Sequence, residues 1–308
     1  FGRLSQRVPG FPSAELALQA IHFPQELDEV EPARRRLAFD EFLALQLQIQ
    51  RRRRNLEQNA KGLPCSGNNS LIKPLLKRLG FQLTDAQTRV LRELRHDLGG
   101  EVPMRRLLQG DVGCGKTVVA ACCALMTIES GFAVALMAPT DILAEQHFRN
   151  FKLWFEPLGV PVLMHTGSRK SQRDVGQSGL QPLIIGTHAL IESGFSAENL
   201  GFVIIDEQHK FGVAQREKLV RKGRYPHLLV MTATPIPRTL GLTLYGDLDI
   251  SVIDQLPVNR AKIRTFIRSA DTLPKVLDFI RSHLKQRRQA YVVYPRVDET
   301  SDGTVKAS

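Results

Sequence analysis

Short apolar runs alternate with helical stretches from about residue 71 onward, and the runs end at Gly, Pro, Thr or Asp. Apolar runs of this length, separated by helical patterns, are typical of an α/β domain. The predicted strands are residues 106–109, 133–138, 160–164, 183–185, 202–206 and 228–232. We therefore expect a parallel sheet with flanking helices.

A long helical pattern precedes this region, over residues 29–54. It has Pro32 near its front and the arginines 51–54 at its back, where cations suit the helix dipole. These arginines are either a solvated helix end or a strip that faces DNA. Residues 62–70 then form a breaker-rich connection. The expected organisation is a helical linker over 1–70, a main α/β domain over 71–257 and the start of a further domain over 258–308.

Polar residues fall just after the predicted strands. They are the Gly-rich loop 110–117, Pro139 and Thr140, Thr166 and Gly167, Thr187 and His188, Glu207, and Ala233 and Thr234. In an open parallel sheet, ligands bind at the carboxyl ends of the strands. We therefore expect these segments to converge on one edge of the sheet and to form one site.

The Gly-rich loop matches the pattern G-x-x-x-x-G-K-[ST] between a strand and a helix. Its residues are Gly110, Asp111, Val112, Gly113, Cys114, Gly115, Lys116 and Thr117. Glycines let consecutive N–H groups point at phosphate oxygens. Lys116 would reach the β- and γ-phosphates of ATP, and the Thr117 hydroxyl would ligate Mg²⁺. The alternative is a Gly-rich turn that happens to contain a lysine.

A second motif brings two adjacent carboxylates to the end of an apolar strand, at Asp206 and Glu207. Asp206 would hold Mg²⁺, directly or through water, and Glu207 would orient and deprotonate the attacking water. In isolation, the pair would be interpreted as a buried strand followed by a solvated acidic turn. Together with the Gly-rich loop 110–117, which we call the phosphate loop, the carboxylate pair predicts an ATP hydrolase.

The net charge of +11, from 42 Lys and Arg residues against 31 Asp and Glu residues, agrees with a polyanionic partner. The four cysteines form neither a disulfide framework nor a zinc pattern, which fits a reducing cytoplasm. No apolar run is long enough to span a bilayer. The first residue is Phe1 and not Met, which suggests a piece of a longer protein.

With Asp206, Glu207, Gln208 and His209, the sequence resembles the DExH group of helicase superfamily 2. This resemblance implies a RecA-like sheet of the P-loop NTPase type. Phe81 and Gln87 resemble the Q motif, in which Gln87 would bind the adenine base. Three segments would contact the nucleic-acid backbone: Pro139, Thr140 and Gln146; Thr166 and Gly167; Thr187 and His188. Thr232 and Thr234 resemble the motif that couples the ATP site to DNA, with His209 as its partner.

The closer resemblance is to the RecG family of bacterial helicases, and it covers nearly the whole chain. Residues 108–113, 206–213, 232–240 and 244–249 carry it. The resemblance implies an ATP-dependent DNA helicase that uses ATP and Mg²⁺ and acts on forks and Holliday junctions in recombination and repair. A monomeric protein of the bacterial cytoplasm, associated with the nucleoid, is expected. Residues 1–70 would follow a missing wedge domain, 71–257 would be the first motor lobe, and 258–308 would begin the second lobe.

Some features depart from the family or leave alternatives open. Cys114 stands where a small residue such as Ser is usual, and residues 289–295 resemble the first strand of the second lobe. Motifs V and VI are absent, so these residues alone should bind nucleotide but hydrolyse it poorly.

A transcription-repair coupling translocase is the nearest alternative, but Gln208 and the stretch 245–247 favour RecG. A nucleotide-gated DNA-binding module without turnover is the alternative from another class, and the intact Lys116, Asp206 and Glu207 argue against it.

Overall fold

The computed structural model describes residues 10–167, 179–192, 199–206, 225–233, 248–257, 264–293, 297–299 and 305–307. Seven parallel strands form the central sheet, in the order β3-β4-β2-β5-β6-β1-β7. The strands are β1 (Arg105–Gly110), β2 (Ala133–Met137), β3 (Val162–His165), β4 (Leu183–Gly186), β5 (Leu200–Asp206), β6 (His227–Thr232) and β7 (Asp249–Ile253). The predicted α/β fold with a RecA-like parallel sheet is confirmed.

All six predicted strands are present, with ends that differ by one or two residues. The seventh strand, β7, was not predicted. It is an edge strand that pairs only with β1 among the described strands, and its sequence alternates apolar residues with Asp249 and Ser251. The strand has 5 residues, which is near the shortest length at which such an alternation indicates a strand, so its signal in the sequence is weak.

Both faces of the sheet are buried, which explains why its central strands are apolar without interruption. One core contains residues such as Leu108, Leu136 and Ile204, and the other contains Leu107 and Val203. Neighbouring residues of one strand thus point to opposite cores, as the pleat requires. Each fully buried Leu or Ile contributes about 1.5–3 kcal/mol to stability.

The described residues of the sheet domain include the helices α3 (Ile72–Leu79), α4 (Asp85–Leu98), α5 (Lys116–Glu129) and α6 (Asp141–Phe155). Thr84 and Gln87 form a reciprocal cap at the start of α4, and the Thr140 side chain caps α6. Every residue of α5 from 118 to 128 is buried, as its apolar sequence requires. Gly131, with φ 86°, follows the end of this helix as predicted.

Among the described residues before α3, two α-helices are present, α1 (Ala14–His22) and α2 (Val30–Asn59). Ala17 and Ala33 are fully buried, and the Phe11 and Phe39 rings lie 5.4 Å apart. The helix α1 and Phe11 before it therefore pack against α2. The expectation that arginines 51–54 end the helix was wrong, because α2 continues to Asn59 and has no basic residue in its last turn. Arg53 instead donates to both carboxylate oxygens of Asp249, at 3.2 and 3.3 Å.

The connection from α2 to α3 packs on the sheet domain. Gly62 N donates to Glu101 O (2.7 Å), and the buried Cys65 donates its N–H to Leu98 O (2.9 Å). His227, at the start of β6, is fully buried and donates from Nε2 to Leu63 O (2.8 Å). Residues 1–258 accordingly form one compact unit. The division at residue 70 stays a prediction.

Residues 259–308 form a second compact unit. It contains α7 (Leu273–Lys285) and an antiparallel pair, β8 (Val297–Glu299) and β9 (Val305–Ala307). The strand expected over 289–295 is absent from the described residues 289–293, where Tyr291, Val292 and Val293 are 86%, 63% and 88% exposed. The physical reason is that no described strand pairs with these residues, and a strand exists only in a hydrogen-bonded pair.

All four cysteines are buried and free. Burial raises the pKa of both Cys65 and Cys122 to about 12, so these thiols stay protonated and serve as small apolar side chains. Single-turn helices occur at Leu27–Glu29, Glu156–Leu158, His188–Leu190 and Ala270–Thr272. In the part of the chain that the structure describes, no helix has both the length and the apolar character needed to cross a membrane.

Candidate nucleotide-binding site

Residues 110–117 form a tight loop that connects β1 to α5. Gly113 and Gly115 have φ angles of 82° and 89°, which favour glycine. Gly110, the first residue of the loop, lies close to Cys114, since a Cβ at Gly110 would be 2.5 Å from Cys114 Sγ. Gly115 precedes α5 and offers no side chain to cap it. The first-turn N–H groups of the helix and its positive dipole end therefore suit a phosphate.

Lys116 is the first residue of α5, and its side chain turns back over the loop. Its Nζ donates to Gly110 O at 2.6 Å and to Asp111 O at 3.1 Å. Cys114 is 1% exposed, and burial raises the pKa of its thiol, which is therefore neutral near pH 7. The ammonium group of Lys116 thus lies at the Gly-rich loop without a neighbouring thiolate.

Asp206 lies at the same edge of the sheet as the loop. It is the last residue of β5 and pairs with Met231 of β6, which in turn pairs with Leu108 of β1. Leu108, two residues before the loop, is therefore two strand spacings from Asp206, or about 10 Å. The structure thus brings the loop that carries Lys116 and the predicted metal ligand Asp206 to one edge, with only β6 between their strands.

His147, on the buried side of α6, contacts Asp206 directly. Its Nε2 lies 2.7 Å from Asp206 Oδ2, and the two side chains are 9% and 14% exposed. The sequence alone did not single out this histidine. A lone histidine in an amphipathic helix is ambiguous, and the contact joins residues 59 positions apart. The sequence shows only that the helix of His147 follows the strand β2. The structure adds that β2 lies next to β5, the strand that ends at Asp206.

Gln87 supports the phosphate loop from α4. Its Nε2 donates to Cys114 O (2.8 Å), and its Oε1 accepts from Thr84 N (2.9 Å). Gln87 is 2% exposed, whereas Phe81, the other residue of the Q motif, is 48% exposed. Gln87 therefore fixes the loop backbone in this structure. Its contact with an adenine base stays a prediction.

The segments predicted to contact DNA follow β2, β3 and β4, which are adjacent in the sheet. The exposed members are Thr140, Gln146, Gly167 and His188, and Pro139 is half-buried. Thr166 and Thr187 are 3% and 1% exposed, so a direct contact of their hydroxyls with DNA needs a local rearrangement. The structure thus gathers these segments on one half of the sheet edge, and the phosphate loop lies on the other half.

The remaining predicted site residues divide into two groups. Thr232, the last residue of β6, is 2% exposed and pairs with Gln109 of β1, which places it next to the phosphate loop. Glu207, His209 and Thr234 lie outside the described residues. Their roles in water activation and in coupling stay predictions.

The available ligands suit Mg²⁺. Asp206 supplies a carboxylate and Thr117, in the first turn of α5, supplies a hydroxyl, and neither side chain is fully buried. Oxygen donors of this kind, few in number, match a cation that keeps several waters and binds phosphate oxygens. Among the described residues, no cluster of three His, Cys, Asp or Glu side chains is arranged to hold a metal by itself. The donor set therefore fits a metal shared with a phosphate ligand.

Comparison with known proteins finds relatives that match nearly the whole chain. The chain is 45% identical to the ATP-dependent DNA helicase RecG of Synechocystis sp. and 43% identical to that of Bacillus subtilis, over 96% and 97% of its length. These matches span 36% and 44% of the two relatives. A solved structure of RecG bound to a three-way DNA junction matches with a TM-score of 0.82 and 38% identity, over 96% of this chain and 40% of that one. The predicted resemblance to RecG is confirmed.

A family model supplies the assignment. The model described as DEAD/DEAH box helicase matches residues 84–242. This range contains the phosphate loop, Asp206 and the three segments predicted to contact DNA. It covers slightly more than half of the chain. The chain therefore belongs to the DEAD/DEAH box helicase family.

Proposed function

We propose that this chain is the ATP-binding motor lobe of a RecG-like DNA helicase that acts on branched DNA. Its curated relatives are named ATP-dependent DNA helicases, and the RecG structure similar to it is bound to a three-way junction. The chain spans less than half the length of these relatives. The activity of a whole protein and its DNA substrate are therefore part of the proposal, as are the monomeric state and a place in the bacterial cytoplasm.

One observation carries the proposal: the Lys116 loop and Asp206 share one sheet edge, with a single strand between them. An isolated Gly-rich turn would not require a carboxylate at this position. In an ATP site, the ammonium group and the carboxylate must act on the same triphosphate, one through its phosphate oxygens and the other through Mg²⁺. The arrangement of β1, β6 and β5 meets this requirement.

The roles of the residues follow from their positions. Lys116 would exchange its two loop carbonyls for phosphate oxygens, while the first-turn N–H groups of α5 bind the same phosphates. Thr117 and Asp206 would hold Mg²⁺, which when bound neutralises the charge that develops on the phosphates. Glu207 would orient and deprotonate the attacking water. Thr232, Thr234 and His209 would couple this site to DNA bound at the other half of the edge.

Residues 1–70 are proposed as the linker to the motor, 71–257 as the first lobe and 258–308 as the start of the second. Because the chain contains no segment that resembles motif V or VI, we expect it to bind nucleotide but to hydrolyse it slowly. A charge supplied by an arginine finger accelerates such reactions by roughly 10³–10⁵. Its absence therefore affects turnover more than binding.

Calorimetry with a non-hydrolysable ATP analogue and Mg²⁺ tests the nucleotide site. Lys116→Ala should weaken binding by roughly 10- to 150-fold, because hydrogen bonds to charged groups contribute about 1.5–3 kcal/mol each. Lys77→Ala, which removes an exposed lysine from α3, is the matched control and should bind normally. Equal affinities for all three proteins, or no binding by the wild type, would contradict the proposal.

A further inference from the structure

The contact between His147 and Asp206 has a defined hydrogen-bond direction. The ring Nε2 and the carboxylate Oδ2 are 2.7 Å apart. An ionised carboxylate only accepts hydrogen bonds, so Nε2 must carry the hydrogen. His147 therefore holds one oxygen of Asp206 in place, and Oδ1 has no hydrogen-bond partner among the described residues.

The histidine ring has little freedom to move. It lies on the buried side of α6, where Ala144 and Phe151 are fully buried, and its centroid is 6.2 Å from that of Phe151. Thr140 caps the start of the helix by accepting from Leu143 N at 3.3 Å. The ring is thus fixed by packing on one side and by Asp206 on the other.

From this geometry we propose that His147 is a positioning residue for the Mg²⁺ site. By occupying Oδ2, the imidazole would direct Oδ1 toward the metal and keep the carboxylate from rotating. Carboxylates that bind metals are generally oriented by such outer partners, whose loss costs roughly 10- to 100-fold in metal affinity or activity. The inference rests on the proposed function, since it assumes that Asp206 binds a metal.

The position of α6 gives this contact a second consequence. The helix begins directly after Pro139 and Thr140 and carries the exposed Gln146, all three predicted to contact DNA. His147 is the residue after Gln146, but it is buried and contacts Asp206 at the end of β5. A shift of α6 caused by DNA would therefore move the group that holds Asp206.

A purely structural pair would behave differently. Breaking a buried pair destabilises the fold by leaving one group without its partner. That effect would lower the melting temperature and weaken nucleotide binding equally with and without Mg²⁺. A positioning role changes the Mg²⁺ dependence itself, so the two roles can be separated by measurement.

The experiment measures the affinity of the 308-residue chain for an ATP analogue, over a range of free Mg²⁺ and in EDTA. His147→Leu removes the donor and should require roughly 10- to 100-fold more Mg²⁺ for the same affinity. Its affinity in EDTA should equal that of the wild type. His147→Gln retains an N–H donor and should recover most of the Mg²⁺ response. His96→Leu is the matched control, because His96 contacts Asp97 at 3.3 Å but is 90% exposed.

Two results would overturn the inference: a His147→Leu protein with the Mg²⁺ dependence of the wild type, or an equal loss of affinity in Mg²⁺ and in EDTA. If His147→Leu does not fold, as judged by circular dichroism, His147→Asn replaces it. Its shorter amide cannot reach Asp206 as the glutamine does, so it should need more Mg²⁺ than His147→Gln, and equal values would overturn the inference. A wild type that binds no nucleotide would instead overturn the proposed function, and the inference with it.

Discussion

Glu129→Ala is expected to destabilise the sheet domain, because this carboxylate binds the segment that leads into α3. Its Oε2 accepts from Asn68 N (2.7 Å) and Asn69 N (2.9 Å), and its Oε1 accepts from Leu71 N (2.6 Å). The Ser70 hydroxyl lies 3.5 Å from Oε1. No side chain of α3 itself provides a cap. Glu129, at the end of α5, therefore supplies acceptors that the start of α3 lacks.

The expected loss follows from these contacts. Hydrogen bonds to a charged group contribute about 1.5–3 kcal/mol each when they are buried. The segment is partly exposed, so water would replace part of what the carboxylate provides, and we expect Glu129→Ala to lower the free energy of unfolding by about 2–3 kcal/mol. With a urea m value of about 2–3 kcal/mol/M, the midpoint would fall by about 1 M. Trp154 is the only tryptophan of the chain and reports this transition by fluorescence.

Glu156→Ala is the matched control. Glu156 lies 3.3 Å from Lys152, but the two side chains are 56% and 47% exposed, so this pair contributes less than about 0.5 kcal/mol. Glu129→Gln keeps one carbonyl acceptor without the charge and should fall between the two. If Glu129→Ala moved the midpoint no further than Glu156→Ala, the hydrogen bonds to residues 68–71 would not have the assigned energy.

Two further residues give independent predictions. Burial lowers the pKa of His227, so the unfolded chain takes up a proton that the folded chain resists as the pH falls below about 6.5. The free energy of unfolding should decrease below that pH by up to about 1.4 kcal/mol per pH unit, until the lowered folded pKa is reached; urea titrations of His227→Gln should show a shallower dependence, and identical slopes would refute the argument. Gln87→Ala should weaken binding of an ATP analogue and of inorganic tripolyphosphate alike, since Gln87 holds Cys114 O in the phosphate loop. Calorimetry showing a loss confined to the ATP analogue would indicate base recognition instead.

The sheet and the edge that carries the candidate site could be predicted because their signals are local. An apolar run followed by the loop 110–117, or by Asp206, carries both the strand and the candidate site residues within a short stretch of sequence. The end of α2 could not be predicted in this way. Arginines 51–54 have the charge expected at the end of a helix, but Arg53 binds Asp249, which lies 196 positions away.

The contacts that position the site were not predictable for the same reason. His147 and Asp206, like Gln87 and Cys114, come from separate elements, and no periodicity indicates that a particular side chain will face a particular strand end. Once the strand order is known, the proximity follows, because β2, β5, β6 and β1 are consecutive in the sheet. The topology is therefore the information that the linear pattern lacks.

The two hydrogen bonds from Lys116 to its own loop have a consequence for the release of a bound ligand. A half-buried ammonium group without acceptors carries a desolvation penalty, and that penalty would slow the departure of a bound anion. In the proposed site, Gly110 O and Asp111 O, which lie 2.6 and 3.1 Å from Lys116 Nζ, would take the place of the departing phosphate oxygens. Under the proposed function, release of product would then be an exchange of acceptors within the chain, and Lys116 would not be left unpaired at any stage.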